Sequence, residues 1–267
     1  MKIKSDVLFK SFVISLLVFA IIASVVISVS YVNTVAVDPD QRESNLLVGL
    51  TDNGKLLSIE LLHCDPKEDC ISFLSIPDNT MLESGNVLQS QYKFGDMQNL
   101  IFSVEDITGA RVNRYIFISL DSLEHLVNDV GRFEYLIRYP FVYNGMEYSG
   151  NTYMTGELAK AMFLYDSYDM TTASMAAIGE SFLYNFLSSH SNANDMYALK
   201  NSLKSLVIST YSNTNITEDE LSKYCNFFLK FSGLDKHMIE IQGERMASSS
   251  SLYFIPAQYK ATKNIFK

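Results

Sequence analysis

The sequence has no tryptophan, and its 267 residues include only five prolines, twelve glycines, three cysteines and four histidines. So little proline and glycine excludes a collagen-like or low-complexity chain. A hydrophobic content of 48% excludes an intrinsically disordered one. The cysteines show no CxxC spacing and no histidine partner, so there is no zinc-site signal. His63, His125, His190 and His237 are scattered and belong to no nucleophile–base motif. Basic residues are scarce, with 21 Lys and Arg against 30 Asp and Glu and a net charge of −9. That balance repels a phosphate backbone and argues against nucleic acid as a partner. It equally opposes electrostatic docking on anionic lipid. No arginine at all lies between Arg138 and Arg245.

The longest charge-free run is Ser11–Val37, and it exceeds the ~20 apolar residues needed to cross a hydrocarbon core. Lys2, Lys4 and Lys10 precede it and Asp38 and Asp40 follow it. The positive-inside rule therefore predicts residues 1–10 in the cytoplasm, a single-pass membrane helix over 11–37, a polar link over 38–44 and an extracellular domain over 45–267. The rival reading is a cleaved signal peptide ending near Thr34-Val35-Ala36, although the apolar run is long for one. Cys64 and Cys70 flank the turn Asp65–Asp69, and an oxidising exterior would let them close a small disulfide loop. Two unpaired thiols are the alternative. Cys225, in an apolar helix face, reads as core.

Along the domain, Asn45–Leu50 reads as a buried strand that ends in the turn Thr51–Gly54. Leu56–His63 and Ile71–Ile76 are strand-like, and Asp96–Thr108 has helical spacing. Arg114–Leu120 reads as a strand, followed by a helix capped by Asp121 or Ser122 and stopped at Gly131. Phe133–Pro140 is another strand. Helices follow from Thr155, over about 172–188 and 195–210, and over Leu221–Phe231 with a Thr217/Glu220 capping box. Ile239–Gly243 and Leu252–Ile255 are late strands. This alternation predicts a mixed α/β or α+β domain, with a central mixed sheet flanked by helices.

Several strings in this order resemble the LytR–CpsA–Psr family, whose members attach lipid-linked glycopolymers to peptidoglycan. Asn45–Asp52 (NLLVGLTD) is similar to the family's opening "NILLLGTD", and Phe73–Thr80 (FLSIPDNT) to "LLSIPRDT". Ile107–Gly109 with Tyr115–Ile118 resembles "LLGIPIDYYVVV", and Leu126–Gly131 resembles "LVDALGG". Met154–Ala159 (MTGELA) resembles "LDGEQAL", and Thr214–Ile216 and Gly243–Pro256 suit the C-terminal portion. The resemblance implies an extracellular domain of that fold, polyprenyl-linked glycopolymer and peptidoglycan as partners, and a phosphotransferase using arginines and a magnesium ion held by aspartates. Arginine's fork meets phosphate oxygens bidentately, and fixed cations stabilise charge developing on them.

This chain departs from that pattern where the chemistry would sit. Asp78 stands in place of the arginine of "IPRDT", and Asn79 in place of its aspartate. The metal-binding "DT" falls near Leu57-Ser58, and the aspartate of "PIDYY" at Asn113. The arginine-rich string after the "GEQAL" helix is replaced by Leu164–Asp169 and the stretch to Ser181. Remaining catalytic candidates are Asp52, Asp78, Arg111 and Arg114, with Lys93, Asn79 and Thr80 as ligand-binding candidates. Asp166 and Asp169 are candidate metal carboxylates, since oxygen ligands suit magnesium. Each also has a plain reading: Asp52 as a turn residue, Asp78 as a loop starter, the arginines as surface charges and the Asp166/Asp169 pair as a solvated turn.

The leading expectation is thus a membrane-anchored envelope protein with a degenerate phosphotransferase site, retaining a tunnel for a lipid tail or a partner surface. A magnesium-dependent transferase with a rearranged site is one alternative. An assembly or sensing subunit working through contacts with envelope proteins is another.

Overall fold

Asn53 and Gly54 sit at φ 47° and 78°, the left-handed geometry that a two-residue hairpin turn demands. They join β1 (Ser44–Asp52) to β2 (Lys55–Asp65) with Asp52 opposite Lys55. β3 (Cys70–Ser75) returns antiparallel to β2. The structure is a computed structural model that describes residues 37–165, 173–208, 212–247, 252–261 and 263–267. The expected membrane span lies outside these, apart from Val37. Among the described residues no helix is long and apolar enough to cross a membrane.

After β3 the chain forms α1 (Gln98–Thr108), β4 (Arg114–Ser119), α2 (Leu120–Val130), and the hairpin β5 (Phe133–Tyr143) and β6 (Met146–Met154). Then come α3 (Gly156–Leu164), α4 (Ala173–Ser189), α5 (Ala193–Ile208), β7 (Ser212–Thr214) and α6 (Glu218–Leu229). β8 (Asp235–Ile239), β9 (Gly243–Ala247) and β10 (Leu252–Pro256) finish the sequence of elements. Six strands make one sheet in the order β7-β4-β1-β2-β3-β8. β4 runs parallel to β1 and β8 parallel to β3, while the other pairs are antiparallel. The domain is therefore a mixed sheet with helices on both faces.

Strand periodicity decides what each face buries. Leu46, Leu50, Leu62 and Phe73 meet residues of α2, α4, α5 and α6 in one core. Leu47, Ile59, Leu61 and Leu74 meet Met97, Leu100 and Val104 of the α1 region in a second. Residues that alternate between two apolar layers have no solvent face, which is why β1–β3 read as nearly continuous hydrophobic runs.

Three local readings change. Ser119, rather than Asp121 or Ser122, caps α2, because its hydroxyl accepts from the Ser122 N–H at 3.1 Å and the strand runs straight into the helix. β6 gave no strand signal because its residues are polar and largely exposed; pairing with β5 supplies its hydrogen bonds. The late strand expected over Ile239–Gly243 ends at Ile239, and β8 starts four residues earlier on the open edge of the sheet beside β3.

The disulfide expectation is also corrected, since Cys64 and Cys70 are both free thiols. Cys64 pairs across the hairpin with Ile71, and Cys70 with Asp65. The two cysteines thus point to opposite faces of the β2–β3 ladder, where no bridge closes. Cys225 is buried in α6, as core.

Candidate functional site

Between β1, β2 and β4 on one side and α2, α4, α5 and α6 on the other lies an apolar cavity of about 120 Å³. Leu46, Leu50, Leu62, Ile116 and Ile118 form its floor; Phe182, Phe186 and Leu199 form much of its roof. Phe182 and Phe186 stack 6.2 Å apart and fill part of the space, while Tyr184 turns away to pack on Phe73 and Phe231. Empty cavities of this order are dry and accept small apolar guests. The opening fits a short stretch of alkyl chain.

One part of the wall is polar. Ser58 and Glu60 occupy the same inward-facing positions of β2 as Leu62, and Gly179 of α4 lies directly over them. A Cβ at Gly179 would sit 2.1 Å from Ser58 Oγ and 2.6 Å from Glu60 Oε1, so only glycine lets the helix approach this closely. Glu60 is 3% exposed. Ser58 Oγ and Ser75 Oγ both donate to its Oε1 at 3.1 Å, and its Oε2 has no hydrogen-bond partner among the described residues. Glu180, next to Gly179, likewise buries an Oε1 with no partner.

Electrostatics follows from this burial. Desolvation, reinforced by the nearby Glu180 charge, pushes the Glu60 carboxyl well above the usual range against the two serine hydrogen bonds. Burial, with Glu240 beyond the end of β8 adding repulsion, pushes Glu180 up to about 7. Among the described residues no basic side chain acts on either group. Of these residues, Glu60 is the one acid lining the cavity, and no basic side chain lines it.

The residues singled out from sequence do not converge. Asp52 ends β1, where Asn53 Nδ2 donates to its carboxylate at 2.9 Å. Asp78 lies past β3; its carbonyl accepts from the Gln89 N–H, and the Gln89 side chain reaches the Leu56 carbonyl, so Asp78 shares the Asp52 end of the sheet. Burial raises its carboxyl to about 6. Arg114 instead pairs with Leu46 at the start of β1. Six residues separate Leu46 from Asp52, about 20 Å of strand. The parallel β1–β4 register thus holds the two arginines at the far end of the sheet from the two aspartates. Arg111 is exposed in the loop before β4, and its carbonyl accepts from Asn45 Nδ2.

Arg114 is structural. Its guanidinium is 6% exposed and doubly bonded to Glu220, with Nε at 2.8 Å. Burial opposes the charge on Glu220, but donation from Arg114 and from the Val37 and Thr217 N–H groups holds its pKa at about 2. Thr80 is fully buried, and its hydroxyl donates to the Pro77 carbonyl. Asn79 offers its carbonyl to the Phe254 N–H. Lys93 is exposed beside Phe94. Asp166 and Asp169 lie outside the described residues.

No three His, Cys, Asp or Glu side chains among the described residues are grouped to hold a metal. Glu60 and Glu180 would each have to lose a proton to serve as ligands. Sequence reasoning passed over both glutamates. Their signal was present: Glu60 is the lone acid inside Leu56–His63, in step with Leu62, and Glu180 follows a glycine inside an apolar helix.

Comparison with known proteins places this geometry. A family model described as the LytR_cpsA_psr family matches residues 32–267. A curated relative from Bacillus mycoides (strain KBAB4), the polyisoprenyl-teichoic acid–peptidoglycan teichoic acid transferase TagU, is 26% identical over 140 residues, covering 49% of this chain and 46% of the relative. The match thus spans about half the length of that relative. B. subtilis TagV has the same fold, with a TM-score of 0.67, 17% identity and coverage of 81% of this chain and 91% of that one. So has TagT bound to LIIa-WTA, with a TM-score of 0.61, 15% identity and coverage of 84% and 88%.

Proposed function

The chain belongs to the LytR–CpsA–Psr family, and from that membership we propose that it is a membrane-anchored envelope protein whose phosphotransferase site has degenerated while its lipid-tail cavity persists. The observation that carries this reading is the wall of the cavity. Catalysis on a pyrophosphate needs cations fixed against developing negative charge. Here, among the described residues, the one charged residue lining the cavity is the acid Glu60, Arg114 is committed to Glu220, and Asp78 carries an acid where the family has a base. Leu57-Ser58 cannot replace an aspartate ligand.

The charge-free run from Ser11 to Val37 with its preceding lysines supports a single-pass anchor, a cytoplasmic N-terminus and an external domain. The kinship to TagU supports polyprenyl-linked glycopolymers and peptidoglycan as the chemical neighbourhood in which the domain works. The β5–β6 hairpin favours an additional role in contacts with envelope proteins. Its outer side exposes Leu136 (44%), Val142 (48%) and Tyr153 (54%).

Binding of a polyprenyl pyrophosphate to the full chain in lipid nanodiscs, with and without magnesium, tests the proposal. Weak binding that magnesium does not change, with no transfer of a glycopolymer to peptidoglycan, is the expected result. Tight magnesium-dependent binding would overturn the loss of the catalytic site and favour the rearranged transferase.

A further inference from the structure

The β5–β6 hairpin forms a two-stranded sheet of its own, so one edge of β5 has no neighbouring strand among the described residues. A long open edge is a ready template for another strand. Pro140 has no N–H to offer, which limits the edge to residues 133–139, with Leu136 at its centre. Phe133, Tyr135 and Ile137 are buried in the core, and Glu134, Leu136 and Arg138 alternate with them on the exposed side. Leu136 is 44% exposed. Glu134 stands two residues before it and Arg138 two after, about 13 Å apart along the strand and too far to pair with each other. Neither makes an ion pair among the described residues. Glu134 Oε1 accepts from the Tyr153 hydroxyl at 3.1 Å. Arg138 has no residue opposite it on β6, because the ladder is irregular between Ile137 and Phe141.

We propose that β5 pairs with β5 of a second copy of this chain, antiparallel about a twofold axis at Leu136. Glu134 then lies opposite Arg138 of the second copy, Arg138 lies opposite its Glu134, and the two Leu136 side chains meet on the axis. Directly opposed side chains in such a pair stand about 5 Å apart, close enough for both contacts. A twofold interface has to be complementary to itself, and an acid, an apolar centre and a base at equal spacing meet that demand. The register is selective as well. A slip of two residues either way sets Leu136 against one of the two charges and loses both ion pairs. The proposal names the partner of the hairpin face already assigned to protein contacts and rests on that assignment; it is independent of the cavity.

Photo-crosslinking of the full chain in the membranes of expressing cells tests this. Tyr139, 39% exposed beside the proposed axis, is replaced by p-benzoylphenylalanine, one aromatic ring for another. Irradiation should give an adduct of two copies, identified by mass spectrometry of the linked peptides. In that background Glu134→Arg and Arg138→Glu should each lower the adduct at least about tenfold, because the twofold axis turns both ion pairs into like charges. The double variant Glu134→Arg/Arg138→Glu restores opposite charges and should restore the adduct. Both positions are exposed, and circular dichroism spectra establish that each variant keeps the fold. A two-copy adduct that neither single substitution lowers, or one that the double variant fails to restore, would overturn the pairing. An adduct with another protein alone would overturn the second copy as partner and leave the hairpin standing as a contact face. No adduct of any kind would overturn both.

Discussion

Removing the Glu180 charge should stabilise the protein at alkaline pH and do nothing at acid pH. Folding moves this carboxyl from 4.5 to about 7, through burial first and the Glu240 charge second. A carboxyl whose folded value is raised binds its proton more tightly in the folded state. The penalty is therefore absent below about 4.5 and grows as pH climbs toward 7; above that it is complete. At about 1.4 kcal/mol per pH unit the full penalty is about 3 kcal/mol. Glu180 is partly exposed, and solvent screening reduces this to about 1–2 kcal/mol. Glu180→Gln keeps the shape and cannot ionise, so it should raise Tm by about 4 °C at pH 8 for a domain of this size. The same variant should melt with the natural protein at pH 4.5. Far-UV circular dichroism melts at pH 4.5, 6, 7 and 8 give the curve directly. A Tm difference of equal size at every pH would refute the electrostatic argument, because it would show that the substitution acts through packing alone.

Other parts of the structure make independent predictions. Arg114→Leu leaves Glu220 buried without its principal cation and should cost about 3–5 kcal/mol at pH 7, read as a lower Tm. The Glu220 contribution is present above pH 4.5 and lost as pH falls toward 2, so the difference between Arg114→Leu and the natural protein should narrow in acid. Gly109 holds φ 64° at the end of α1, and a Cβ there would lie 2.4 Å from the Lys263 carbonyl oxygen. Gly109→Ala should therefore destabilise by about 1–3 kcal/mol and speed amide exchange in residues 263–267, where a surface alanine substitution would do neither. Maleimide should modify Cys70 in the folded protein and leave Cys64 and Cys225 unmodified until denaturant is added. Burial raises all three thiols, Cys225 to about 11, so the half-exposed Cys70 reacts by access. A reductant should change neither the labelling nor Tm.

The order of elements was legible because each signal was local. Alternation and continuous apolar runs marked β1–β4, and Thr217 with Glu220 marked the start of α6 as a complete capping box. What escaped depended on pairing across the chain. β6 is polar and exposed and exists as a strand because β5 provides its partners. The site candidates failed for the same reason. Asp52, Asp78, Arg111 and Arg114 were grouped by chemistry, yet the parallel register of β1 with β4 sets the pairs about 20 Å apart. Arg114 looked available because its partner, Glu220, lies 106 residues further along the chain. Glu60 and the helix above it are also distant in sequence, and what lets them approach is the missing side chain of Gly179.

A sheet of this kind has one chemically useful end, where the parallel strands finish and the helices begin, and ligands gather there in open α/β folds. The chain has there its Asp-Asn-Gly turn and its capped α2, with the apolar cavity alongside β1. On the proposed reading Asp78 stands for a base and Leu57-Ser58 for a metal ligand, and Glu60 adds an acid to the cavity wall. Random decay of a catalytic site would leave apolar or small residues, because an unpaired buried carboxyl costs stability at every step. Glu60, 3% exposed, with an Oε2 unpartnered among the described residues and held beneath Gly179, carries that cost in this fold.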